Sequence, residues 1–589
     1  MRLRLTICGL LLALAAPAAA LDVISASEVR EGARGVCVTE MDGGELVEIP
    51  LEVLGTLGPS TPEGELVLVR LEGERFEQTG IIAGMSGSPV YVDGRLLGAL
   101  AYGWAFSEEP IGGVTPFERM QRLGDLVGSV GSGGAAARRP ELVDILEAVR
   151  ARSLGTMLTD WLVSPREPAQ GLRPLALPVS GVAPRVDWLA DAWSRLGWMS
   201  APVGGPDGAE GGELVPGAMV AGVLARGDVT LAAGGTVTAV DGDRVWAFGH
   251  PFLGAGDVRL PMARARVIGV LPSQLNSFKF FSVGAGLGAF ETDRAHGIWG
   301  RIGPAPSMVP VDVEVDGRSY RFESVRHPTL TALLVGYLTA SSHAVRGRTF
   351  GDQTVTLDVQ AEFDDGRSAS LQETFAGADA PALAAGMSTA LVAYLDASAF
   401  DRPDLARVSV DLRSTETLRN AEVVEIVPDR RRVQPGDEVV ARVRVRPHRK
   451  PEAWHTVRVR VPETASAGRL DLVVADGASW SAYDLRMRPQ RPKAFEDELD
   501  LVARLEPSTR LVAALERPDP ALVTGSGAVS APVGVLLELA GGLGDATPMA
   551  SWGVVARSHR DLDYPLAGAA RIRLEVRPEG RNPAPLEDR

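Results

Sequence analysis

The chain has 589 residues, 75 of them acidic and 60 basic, for a net charge of −15, with 66 glycines and 41 prolines. That charge argues against a nucleic-acid partner, and the length suits about two to four domains. Only Cys37 lies beyond the N-terminal leader, so no internal disulfide and no cysteine-based metal or redox site is expected, and no metal or organic cofactor is implied.

In chain order, Arg2 and Arg4 precede the apolar stretch Leu5 to Ala15, and small residues follow up to Ala20. This reads as a signal peptide, 1–20, cleaved after Ala20, which sends the mature chain to the periplasm or the exterior. No later segment reaches the roughly 18 to 20 uninterrupted apolar residues of a membrane helix, so no span is expected in the mature chain. Residues 21–125 alternate short apolar strands with turns, as in Leu66-Val67-Leu68-Val69 and Leu96-Leu97-Gly98-Ala99-Leu100. Residues 126–215 form a helical insert with linkers at 128–137 and 204–212 and helices near 140–149 and 186–196.

Strand patterning returns over 216–420, with helices near 328–340 and 381–395. From Ala421, a Pro435-Gly436 turn leads into strict alternation along Glu438 to Val445, as in an antiparallel sheet with one solvated face. Residues 421–500 are read as an immunoglobulin-like sandwich. The extension 501–589 carries a helical candidate at 508–515.

The chemistry-bearing segment is Gly84-Met85-Ser86-Gly87-Ser88-Pro89-Val90-Tyr91. A nucleophilic serine benefits from flanking glycines, which permit a tight turn and bring N–H groups toward a carbonyl. An ordinary hairpin connection is the commoner use of such a cluster. Ser88 is the weaker nucleophile, because Pro89 holds it in extended backbone. A serine nucleophile needs a base, and of seven histidines His250 is best framed, in Phe248-Gly249-His250-Pro251 at a strand end. For any lone histidine a structural role is the commoner one. Asp93 reads as a hairpin turn residue and Asp293 as a partner of Arg294 or of a strand-end amide.

Thr79 to Val90, followed by Asp93-Gly94-Arg95-Leu96-Leu97-Gly98-Ala99, resembles the serine-centred signature of the SpoIVB (sporulation stage IV B) serine peptidase family. Gly235-Thr236-Val237-Thr238 through His250 resembles its histidine-centred strand, and Asp293 to Gly300 its later Gly-Ile-x-Gly element. The resemblance implies a chymotrypsin-like double β-barrel, here with serine and histidine blocks in permuted order. It further implies Ser86 as nucleophile, His250 as general base, and the Gly84 and Ser86 amides as oxyanion hole. The family's acid falls on Glu72 after one deletion, glutamate replacing aspartate. Met85 stands where trypsin-like proteases carry the aspartate that pairs with a new N-terminus.

The function so implied is an exported serine endopeptidase acting on protein or peptide substrates. The alternative is a catalytically inactive envelope scaffold or binding protein on the same fold. A wall- or carbohydrate-binding protein would instead display Trp454, Trp480 and Tyr483 as an exposed platform.

Overall fold

The computed structural model describes residues 21–577 apart from 59–64, 105–106, 127–138, 164–172, 182–185, 202–212, 274–275, 347–350, 489, 491, 518–520, 525–526, 531–533, 536–537, 539–548 and 551–552. The leader 1–20 and both linkers, 128–137 and 204–212, thus lie outside the described residues. The chain is mainly β, and among the described residues no helix is long and apolar enough to cross a membrane.

The first strands are β1 (Arg34–Glu40), β2 (Leu46–Leu57), β3 (Leu66–Leu71), β4 (Ser88–Val92), β5 (Arg95–Gly103) and β6 (Ile111–Pro116). Alternate residues of β2 and β3 turn inward, so Leu51, Val53, Val67 and Val69 are buried in one core, which Leu97 and Leu100 of the almost wholly buried β5 also enter. Burying each such side chain contributes about 1.5–3 kcal/mol. The strands close an antiparallel ring in the order first, second, third, sixth, fifth, fourth, with β4 returning to β1 through Cys37↔Val90. Closure leaves no free edge within the ring.

The expected helical insert supplies helices Leu142–Arg150, Leu154–Leu162 and Asp187–Arg195. It also supplies strands, β7 (Arg173–Pro174), β8 (Leu177–Ser180) and β9 (Trp198–Ala201). The first of these extends β5, and the other two extend the next sheet.

A second ring follows, from β10 (Met219–Gly227), β11 (Leu231–Asp241), β12 (Arg244–Ala247), β13 (Gly256–Leu271), β14 (Phe278–Arg294) and β15 (Gly297–Ile302). Its neighbours again run first, second, third, sixth, fifth, fourth, all antiparallel, with β13 returning to β10. Beyond it the sheet continues through residues 309–415, covered by helices Leu330–Arg346 and Ala380–Asp396, close to where the sequence puts them.

The C-terminal boundary differs from the expectation. Ala421–Pro428, Glu438–Pro447 and Ala453–Arg460 form one sheet with Leu566–Ala567. The facing sheet takes Gly468–Asp476 together with Arg510–Arg517, Gly553–Asp561 and Ala569–Val576. Val443 and Val459 of one share a core with Leu472, Ala513 and Leu574 of the other. The short strand Arg432–Val433 joins the facing sheet beside Ala569–Val576, so the sandwich has nine strands among the described residues; it does not close at residue 500 but draws four of the nine from the 501–589 extension. The helix expected at 508–515 is a strand, Arg510–Arg517, whose apolar run is buried on both faces.

Candidate active site

Ser86 lies in the connection between β3 and β4, His250 in that between β12 and β13. These are the same connection, third strand to fourth, in two rings of the same order.

The serine turn is shaped by Gly84 and Gly87, with φ of 95° and 98°. Only glycine adopts such backbone readily. At Gly87 space forbids a side chain as well, since a Cβ would lie 2.0 Å from the Thr236 carbonyl oxygen. Within the turn, the Met85 N–H donates to Ile82 O (3.0 Å), Gly87 N–H to Leu100 O (2.8 Å) and Ser88 N–H to Met85 O (2.8 Å).

Strand β11 of the other barrel then takes up the carbonyls. The Thr236 hydroxyl donates to Gly84 O (2.8 Å), the Thr236 N–H to Ser86 O (2.7 Å), and the Thr238 hydroxyl to Gly87 O (2.8 Å). Among the described residues, the N–H groups of Gly84 and Ser86 have no partner. Two such amides beside a nucleophile are what an oxyanion requires.

The histidine turn is made by consecutive left-handed residues, Phe248 (φ 69°) and Gly249 (φ 70°). Left-handed backbone is uncommon for a residue such as Phe248. The turn is pinned to the serine barrel where Thr115 donates its hydroxyl to Gly249 O at 2.6 Å.

His250 Nε2 then lies 2.5 Å from Ser86 Oγ, which is also 2.8 Å from Phe248 O. His250 Nδ1 faces the carbonyl oxygen of Pro251 at 2.8 Å. A carbonyl only accepts, so Nδ1 carries the proton, and in neutral imidazole Nε2 is then the lone-pair nitrogen. The single Ser86 hydroxyl proton has two acceptors within reach, Phe248 O, to which it donates at 2.8 Å, and Nε2; turned to Nε2, the hydroxyl can give its proton up there. Both side chains are enclosed, Ser86 at 0% exposure and His250 at 1%.

Glu72 is not brought to this pair. It directly follows β3, its carboxylate is 40% exposed, and its partner is Arg34. The group facing His250 Nδ1 is a backbone carbonyl, which has no side-chain signature. Ser88 is also turned elsewhere, donating to Thr39 Oγ1 at 2.8 Å. Asp93 occupies a left-handed turn position (φ 53°), as its spacing suggests. Asp293 is buried and bonds backbone amides, not Arg294, whose carboxylate partner is Asp257.

Sequence reasoning missed Thr236, Thr238 and Thr115 as the residues that dock the two turns. The Thr-Val-Thr alternation was the available signal, since it puts both hydroxyls on one face of a strand. It also missed Lys279, which enters from β14, with its backbone N–H on Ala83 O and its Nζ donating to Thr39 Oγ1 at 2.7 Å. Burial pushes this ammonium down to about 7, partly offset by Glu40, and pushes the Cys37 thiol up to about 12.

Residues 11–117 match the family model described as SpoIVB peptidase S55. The match runs through the whole serine barrel, including Glu72, Gly84 and Ser86, and stops before His250. No curated protein and no solved structure matches the chain.

Proposed function

We propose that the chain is an exported serine endopeptidase of the SpoIVB type, with a chymotrypsin-like pair of barrels and an immunoglobulin-like C-terminal sandwich as appendage. The observation that carries the reading is the 2.5 Å approach of Ser86 Oγ to His250 Nε2, with Nδ1 held by the Pro251 carbonyl. Ser86 attacks the scissile carbonyl carbon as Nε2 takes its proton, and the new oxyanion falls to the Gly84 and Ser86 N–H groups. The C–N bond then breaks, the imidazolium returns the proton to the leaving amine, and the acyl ester is left on Ser86. Water, deprotonated by the same nitrogen, attacks the ester and releases the acid while Ser86 is reprotonated.

The serine-first order is consistent with this chemistry. Residues 34–116 and 219–302 each close a ring on their own, so the permutation exchanges whole barrels and cuts none. Enclosure of the pair favours a second reading, the inactive envelope scaffold, in which the same hydrogen bonds only latch two barrels together.

A fluorophosphonate probe decides between them. The peptidase reading expects labelling of the processed wild type, lost in Ser86→Ala. Absence of both labelling and proteolysis in the processed wild type makes the scaffold the better reading.

A further inference from the structure

We infer that Asp293 is the positioning residue of the histidine, acting through one peptide group; the inference rests on Ser86 and His250 being the working pair. Asp293 sits near the end of β14, paired on one side with Gly256 of β13 and on the other with Ile298 of β15. It is thus fixed in the wall of the histidine barrel. Its side chain is 1% exposed and directed at the turn that follows His250.

Oδ1 accepts the Phe252 N–H at 2.7 Å, and Oδ2 accepts those of Leu253 at 2.7 Å and Ala255 at 3.2 Å. Burial raises its pKa while these amides oppose the shift. These donors lie in a segment without strand or helix bonding, where a buried amide left unpaired would cost about 1–3 kcal/mol.

The Phe252 N–H and the Pro251 carbonyl belong to one planar peptide unit. One edge of that unit meets Asp293 Oδ1 at 2.7 Å and the other meets His250 Nδ1 at 2.8 Å. The sequence of contacts is carboxylate, amide N–H, carbonyl oxygen, imidazole N–H, hydroxyl. Two consequences follow. The carboxylate fixes the plane of the peptide and hence the direction of the carbonyl that selects the Nδ1–H tautomer. A carboxylate on the N–H also polarises the amide and strengthens its oxygen as an acceptor, supporting the imidazolium when it forms. A direct Asp-His bond does both jobs in a conventional triad. Here a peptide group is inserted between them.

Asparagine at 293 cannot reproduce the contacts, because its amide nitrogen would confront at least one backbone N–H. In Asp293→Asn the fluorophosphonate labelling rate of folded protein is expected to fall about 10- to 100-fold, the range seen when the outer partner of a metal-bound histidine is lost and below the roughly 10⁴-fold for an aspartate bonded directly to a catalytic histidine. The apparent pKa of the rate profile should fall with it, since the imidazolium loses support. A purely structural role would lower the melting temperature and leave the rate per folded molecule and its pKa unchanged; that result overturns the inference.

If the variant does not fold, nitrogen NMR on selectively labelled wild type decides. Neutral His250 is expected to be protonated at Nδ1, with that proton strongly deshielded. A protonated Nε2 in the neutral form overturns the inference. Loss of labelling in the wild type itself overturns the peptidase reading instead, while the NMR result still tests the contact between Asp293, the peptide and His250.

Discussion

Both barrels close six antiparallel strands in the same order and both offer a side chain from the third-to-fourth connection, yet they prepare that side chain differently. The serine turn is held from both sides: the Met85, Gly87 and Ser88 amides bond within its own barrel, while the carbonyls of Gly84, Ser86 and Gly87 are bonded by Thr236 and Thr238 of the opposite barrel. The histidine turn is held largely from inside, by Asp293 of its own barrel wall and by its own Pro251 carbonyl. On the proposed reading the Gly84 and Ser86 amides must stay open for a developing charge, and it is the carbonyls of these two residues that the opposite barrel anchors. A base must keep one tautomer, so its turn is anchored by amides that aim a carbonyl.

The sharpest break of this pairing is removal of either reactive group. Ser86→Ala and His250→Ala should each lower turnover by about 10⁴-fold or more, and the double variant should be no worse than either, because the two act as one unit. Melting temperatures should stay close to the wild type for Ser86→Ala. Additive losses would show that the barrels act separately and end the comparison.

Lys279 tests how the histidine barrel's β14 enters the serine barrel. Its native pKa of about 7 lies below the ordinary 10.5, so between these values the unfolded chain holds a proton that the native chain lacks. Stability should therefore rise as pH increases through that window, by at most about 1.4 kcal/mol per pH unit from this group, and should be flat below it. Around the ammonium stand Glu40, Cys37, Arg75 and Asp42. Denaturant titrations of wild type and Lys279→Met should diverge as pH falls from 10.5 to about 7, with the variant the more stable at the low end; parallel curves across that window would mean the lysine stays protonated in the native state.

The serine turn was readable before any coordinates because its requirements are written in residue types: left-handed φ at 84 and 87 calls for glycine, and a reactive hydroxyl calls for serine. His250 was readable for a related reason, the Gly249 before it and the Pro251 after it. The acid was not. The family resemblance pointed to Glu72, whereas the group on Nδ1 is a carbonyl that any residue possesses, backed by an aspartate 43 positions downstream of the histidine whose side chain bonds only backbone.

The sandwich boundary failed for a different cause. Alternation predicts that a strand has two faces but not which distant strand covers it, and Leu472 is paired by Leu515 and Ile572 from beyond residue 500. The run Leu511 to Leu515 is buried on both faces, which erases the period that separates strand from helix.

The docking threonines should have a smaller effect. Thr236→Val keeps the shape but leaves Gly84 O without its hydroxyl donor, for a cost of about 1–3 kcal/mol. Thr238→Val does the same to Gly87 O. Because Gly84 also carries one of the two open amides, Thr236→Val should slow labelling more than Thr238→Val at equal loss of stability. Equal labelling rates would mean that Gly84 plays no part in receiving the oxyanion.

The smallest effect is expected at Glu72, and it separates family resemblance from geometry. Its carboxylate is 40% exposed and its partner Arg34 is 66% exposed, so the pair is a surface ion pair that contributes on the order of 0–1 kcal/mol. Glu72→Gln keeps the volume and some hydrogen bonding to Arg34 while removing the charge. Labelling rate and its pH profile should match the wild type, in contrast to Asp293→Asn, and the melting temperature should shift by a degree or two at most. A tenfold loss of labelling in Glu72→Gln would return the acid's role to the serine barrel, and the base would then be oriented across the interface instead of from within its own barrel.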